Sequence, residues 1–177
     1  MNPSHHDLSL DENTDARLAG LIVLGLLLFL FESFIPRPLP WLKFGLSNIA
    51  TLIALYWLGW REAIVVSLFR ILVGAFFTGN LLTPGFFLSA SGGFAAVITM
   101  IVLKRSMLFS IVAVSICGAV MHNLAQLTLA AEWLFANPVL WHLLPYLVAT
   151  GVLTGAVIGW FSRKLLMRIQ HITMFSP

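Results

Sequence analysis

Six apolar blocks divide this chain, at approximately 18–34, 44–58, 63–78, 85–103, 107–131 and 139–161. A segment that is apolar all round predicts a helix buried in lipid or protein. About 20 residues at 1.5 Å each are needed to cross a bilayer. The second and third blocks are short by that measure, so as spans they extend into their loops or thin the bilayer locally. The breaks between blocks are well marked. Pro36, Pro38 and Pro40 stiffen the first, and Gly59 to Glu62 makes a tight second turn. Gly79, Asn80, Thr83 and Pro84 make the third, Lys104 to Ser106 the fourth, and Asn137 with Pro138 the fifth. Tryptophans 41, 57, 60, 133, 141 and 160 fall near block ends, where interfacial anchors belong.

Composition agrees with a membrane setting. The 177 residues are 59% hydrophobic and 10% charged, with a mean hydropathy of +0.95, whereas soluble domains carry about 25% charge. The length suits one domain. The net charge of +3 reflects cations at segment ends and gives no reason to expect a nucleic-acid partner. Cys117 is the single cysteine, which excludes an intramolecular disulfide. Residues 1–16 are polar and acidic, lack the features of a signal peptide, and are expected to form a disordered cytoplasmic tail. His5 and His6 there read as solvated side chains and not as a metal site. Residues 17–168 form the transmembrane domain in this reading, and 169–177 a cytoplasmic C-terminal tail.

Arg17, Arg61, Lys104, Arg105, Arg163, Lys164 and Arg168 fall on one side of a six-span arrangement, and only Arg37 and Lys43 on the other. The positive-inside rule then places both termini in the cytoplasm. The expected fold is an all-α integral membrane protein, a bundle of six transmembrane helices.

Arg70 is the exception among the cations. It lies inside the third block, roughly 12 Å from the cytoplasmic end by helical rise. A guanidinium stays charged and costs at least about 2.5–3.5 kcal/mol at a bilayer centre. Asn48, Ser89, Ser91, His122, Asn123 and Gln126 fall in the outer halves of their blocks, with Glu32 and Glu132 at the outer ends. Two readings follow. Arg70 is a structural cation and the amides join helices, or the group binds a polar or anionic ligand in an outward-facing pocket. The one-sided clustering favours the second. Small residues mark close approaches: residues 89–93, the Gly151, Gly155 and Gly159 series, and Ala16 with Gly20. These faces serve helix packing or a partner interface.

No phosphate-binding G-x-x-x-x-G-K-[ST] loop and no H-E-x-x-H motif occurs. The aspartates are confined to positions 7, 11 and 15, so an aspartate-rich metal-diphosphate site cannot be built. The chain is expected to be no enzyme by itself and to need no metal or cofactor.

The stretch 32–80, with its proline-rich loop, K-F-G-L-S-N (43–48) and L-F-R-I-L-V-G (68–74), joins FFLSASGGFAAVITMIVLKR (86–105) and SICGAVMHNLAQL (115–127). Together these resemble a bacterial membrane family labelled both Gx transporter and heptaprenyl diphosphate synthase component I. That family is similar to the substrate-binding S components of energy-coupling-factor transporters, six-helix proteins with an outer ligand pocket. The resemblance implies a gating loop containing Pro36, Arg37, Pro38, Pro40 and Lys43. It also implies contact of Ala16 and Gly20 with an energy-coupling partner. The second label implies an accessory role in making polyprenyl diphosphates.

The expected function is therefore a small-molecule-binding subunit of an uptake system, with an energy-coupling ATPase module as partner. The alternative is a non-catalytic membrane component of polyprenyl diphosphate synthesis, with a prenyl synthase as partner.

Overall fold

A computed structural model describes residues 5–34 and 45–175. The described residues form six helices: α1 (His5–Ser33), α2 (Asn48–Trp57), α3 (Trp60–Phe77), α4 (Pro84–Arg105), α5 (Ile111–Leu129) and α6 (Leu144–Phe175). A π-helical turn, Ala130–Leu134, prolongs α5, and a 3-10 turn, Pro138–Leu143, leads into α6. Local chemistry sets the starts. The Thr83 hydroxyl accepts from the Phe86 N–H with Pro84 in the first turn, and the Ser110 hydroxyl accepts from Ala113 N–H. The proposed gating residues Pro36, Arg37, Pro38, Pro40 and Lys43 lie outside the described residues.

The six-span count does not hold. Four helical stretches are long and apolar enough to cross a membrane: Thr14–Ser33, Pro84–Arg105, Ile111–Leu134 and Pro138–His171. At ten residues, α2 is about 15 Å long, half of a hydrocarbon core. Its apolar residues face protein instead of lipid, since Ala50, Leu52, Ile53 and Ala54 have no exposed surface. The block 44–58 is hydrophobic because it supplies the bundle core. In α3, Arg61, Glu62 and Arg70 within eighteen residues remove the long uncharged run that a span needs. The inference that both termini are cytoplasmic rested on six spans and falls with them.

Helices α4, α5 and α6 pack side by side, α1 lies against α2 and α3, and α2 is enclosed by α1, α3 and α6. The main core gathers Leu21, Leu52, Leu55, Val66, Val97, Met100, Val114 and Leu166. Val23, Leu27 and Phe31 form an exposed apolar stripe on α1, as do Phe94, Ile98 and Val102 on α4, suited to acyl chains.

The glycines of α6 face α5. A Cβ on Gly151 would stand 3.1 Å from Val120 Cα, on Gly155 2.6 Å from Ile116 Cα, and on Gly159 2.8 Å from Val112 Cα. These neighbours are backbone atoms, which cannot swing aside, so the helix contact itself requires glycine. In α1, Gly20 is exposed, with nothing within 4 Å of an added Cβ, and Ala16 is exposed too. The expected result is that Gly155→Ala destabilises the protein by about 1–3 kcal/mol through overpacking, whereas Gly20→Ala leaves its thermal unfolding midpoint in detergent unchanged. A midpoint for Gly155→Ala equal to that of the wild type would refute the close α5–α6 contact.

Candidate functional site

A polar layer crosses the bundle where α2 begins. Gly45 adopts a left-handed backbone (φ 76°), and its N–H donates to Glu32 Oε1 at 2.6 Å. Glycine suits the position because φ is positive and because a Cβ would stand 3.1 Å from Asn48 Nδ2. Ser47 occupies the N-cap of α2 but makes no side-chain cap bond. Its hydroxyl instead accepts from Arg70 Nη1 at 2.6 Å, and the same nitrogen donates to Asn48 Oδ1 at 2.8 Å. Arg70 is 4% exposed and Glu32 1%, and the Glu32 carboxylate acts electrostatically on the guanidinium. A buried cation is thus held by two neutral oxygens, with a buried carboxylate on another helix to balance its charge, the arrangement that desolvation demands.

The layer continues through α4 into α5. Gly92 leaves room for His122 and Gln126, each with an atom 2.9 Å from an added Cβ, and Gly93 leaves room for Ile71 and Arg70. His122, Asn123 and Gln126 are all buried. Asn123 Nδ2 donates to the Leu147 carbonyl at 2.8 Å, tying α5 to α6. Among the described residues, Arg70 Nε and Gln126 Nε2 have no hydrogen-bond partner.

The open space lies beside this layer. A cavity of about 880 Å³ sits between α1, α3 and α4, at the end of the bundle remote from Lys104. Phe29, Leu30, Phe34, Ile71, Ala75, Phe77, Phe86, Leu88 and Phe135 line it, with Ser33, Thr78, Asn80, Thr83 and Ser89 as polar members. The Ser33 hydroxyl donates to the Phe29 carbonyl and that of Thr78 to the Gly74 carbonyl, so both are turned back on their own helices. What remains is a mainly aromatic and aliphatic surface with Asn80, Thr83 and Ser89 at its polar edge, of ordinary ligand-pocket size. Ser91 lies elsewhere, beside Met121, Leu124 and Trp133 in a shallower hollow of about 370 Å³.

The residues singled out from sequence therefore separate. Arg70 and Asn48 meet directly, while His122, Asn123 and Gln126 join the layer through α4 and α6. Of the set, Ser89 alone lines the large cavity, and Arg70 lines neither cavity. Two partners of Arg70 were missed, Ser47 and Glu32. The signal for Glu32 was an acid closing an apolar block, which reads equally well as a surface cap.

A family model described as heptaprenyl diphosphate synthase component I matches residues 21–165. The chain belongs to that family. No curated protein matches it, and no solved structure does. The heptaprenyl diphosphate synthase component I assignment supports one half of the resemblance drawn from the sequence. The other half, to Gx transporters and energy-coupling-factor S components, has no support in these comparisons. The uptake-subunit reading gives way to that of an accessory component that is not itself a catalyst. The helices place it in a membrane as a multi-pass protein.

Removing one partner from a buried charged group typically costs about 3–5 kcal/mol. Arg70→Ala strands Ser47, Asn48 and Glu32 together, and a loss in that range is the expected result, read as a lowered unfolding midpoint. An unchanged midpoint would show that the guanidinium does not hold the start of α2.

Proposed function

We propose that this chain is the membrane-embedded accessory part of a polyprenyl diphosphate synthase, in a bacterial membrane, with the chemistry carried by a separate prenyl synthase subunit. The observation that carries this reading is the family match over residues 21–165, which includes most of the helical length that builds the cavity. The sequence supports the division of labour: with aspartates only at 7, 11 and 15, the chain lacks the aspartate-rich motif that holds metal-bound diphosphate for condensation.

The contribution of a membrane partner follows from the product. Each isoprene unit adds apolar surface, at about 0.8 kcal/mol per buried CH₂. A growing chain therefore gains from an apolar receptacle continuous with the bilayer. The space between α1, α3 and α4 fits that role, with Phe29, Ile71, Ala75 and Leu88 as walls. Ser89 marks its polar edge. Arg70 and Asn48 act beneath it by fixing α2 and α3, and His122, Asn123 and Gln126 brace α4 against α5 and α6. Ser91 faces the shallower hollow and plays no part in this scheme.

The test is reconstitution in nanodiscs with a prenyl synthase subunit from the same cell, with product length read by chromatography. The expected result is co-purification of the two proteins and longer products than the synthase makes alone. Ala75→Phe, which narrows the cavity, is expected to shorten the products while the unfolding midpoint stays within a few degrees of wild type. Failure to associate with any prenyl synthase would overturn the reading. An unchanged product distribution in Ala75→Phe would remove the cavity from it.

A further inference from the structure

The end of the bundle opposite the cavity carries cations laid on aromatic rings. The Arg17 guanidinium lies 5.1 Å from the Trp57 ring centre, and Lys104 lies 5.1 Å from that of Tyr56. Trp60 receives two: Arg61, from the first turn of α3, and Arg105, from the last turn of α4, each 5.3 Å from its ring centre. The two guanidinium groups can then be no further apart than those distances combined. Both arginines and Trp60 are exposed.

A guanidinium held over an aromatic face by its charge keeps N–H donors available for a planar or tetrahedral anion. Among the described residues, neither Arg61 nor Arg105 is paired with a carboxylate. The acid next in sequence, Glu62, is folded back on Gly59, its Oε2 standing 2.7 Å from where a Cβ would be. Membrane topology accounts for cations at a helix end. It does not account for two of them, from two helices, converging on one indole with no acid between them among the described residues.

Apolar surface leads away from this point on both helices. Phe69, Leu72 and Phe76 are exposed on α3, and Phe94, Ile98 and Val102 on α4, at the three- and four-residue spacings that make a stripe. The surface suits an amphiphile with a doubly anionic head and a long apolar tail.

We propose that Arg61, Trp60 and Arg105 form a headgroup site for the diphosphate of a prenyl chain whose tail lies along α3 and α4. The choice of a prenyl diphosphate over a bulk anionic lipid rests on the synthase-component reading. The two arginines supply paired donors for the two phosphates, and Trp60 holds both in register.

The test uses the full chain in phosphatidylcholine nanodiscs, with farnesyl diphosphate as the probe and native mass spectrometry as the readout. Saturable binding is expected, displaced by inorganic diphosphate and weakened about tenfold or more by Arg61→Gln or Arg105→Gln. Arg168→Gln, an exposed cation on α6, serves as the control for net charge and should bind like the wild type. Both arginines are at the surface, so unchanged unfolding midpoints are expected to accompany the losses. Equal affinity in the double variant would overturn the site. So would displacement by phosphatidylglycerol as effective as by inorganic diphosphate, which would mark a general anionic-lipid surface. If the chain captures a prenyl synthase yet does not bind farnesyl diphosphate, the headgroup site falls and the synthase reading stands. If binding depends on the arginines but no synthase associates, the site stands and the synthase reading falls.

Discussion

A permanent positive charge deep in an apolar bundle constrains everything around it. Arg70 cannot shed its proton, and its surroundings have little water to offer, so protein oxygens must come to it. Ser47 and Asn48 do so at the start of α2. Their position there is fixed in turn by the bond from Gly45 N–H to Glu32. Three helices are thereby locked at one level. The ten-residue α2 keeps its register in the core because its first turn is anchored from both sides. The same cation would otherwise oppose the positive end of the α2 dipole, and the Glu32 carboxylate offsets that conflict.

The polar layer and the cavity have separate physical duties. The layer has packed, hydrogen-bonded side chains and glycines that let them approach. The cavity has phenylalanines and aliphatic side chains, with the Ser33 and Thr78 hydroxyls bonded to their own helices and Asn80, Thr83 and Ser89 as its other polar members. A group built to hold a charge and a space built to hold hydrocarbon lie side by side, linked through Ile71 and Ser89. This separation moves the functional reading away from recognition of a polar solute around Arg70. The role proposed above uses the apolar space and leaves the charged layer to hold the helices.

Much of this was legible in the sequence, within limits set by what hydropathy measures. It located the apolar part of each described helix, though α1 begins at His5 within the stretch expected to be a tail, and it did not distinguish a helix facing lipid from one facing protein, because both require apolar residues. That is why the block 44–58 read as a span and proved to be core. Arg70 stood out as a cation inside an apolar block, and Asn48 was grouped with it as one of the polar residues expected to face inward. Its pairing with Ser47 and its coupling to Glu32 did not, since these depend on where the chain turns before α2. The spacing of Gly151, Gly155 and Gly159 marked a close-approach face, and the α5 backbone lies against it. The large cavity was invisible, being made by phenylalanines from three helices and a turn that share no local pattern.

The brevity of α2 has a consequence for biogenesis. A helix of about 15 Å cannot hold itself across a hydrocarbon layer of about 30 Å. It also carries at its entrance the oxygens that neutralise a cation on the next helix. Segments α2 and α3 must therefore enter the membrane together, as a hairpin closing at Gly59, and find shelter against helices already in place. For this protein, burial of the α2–α3 hairpin and packing of the bundle are therefore coupled.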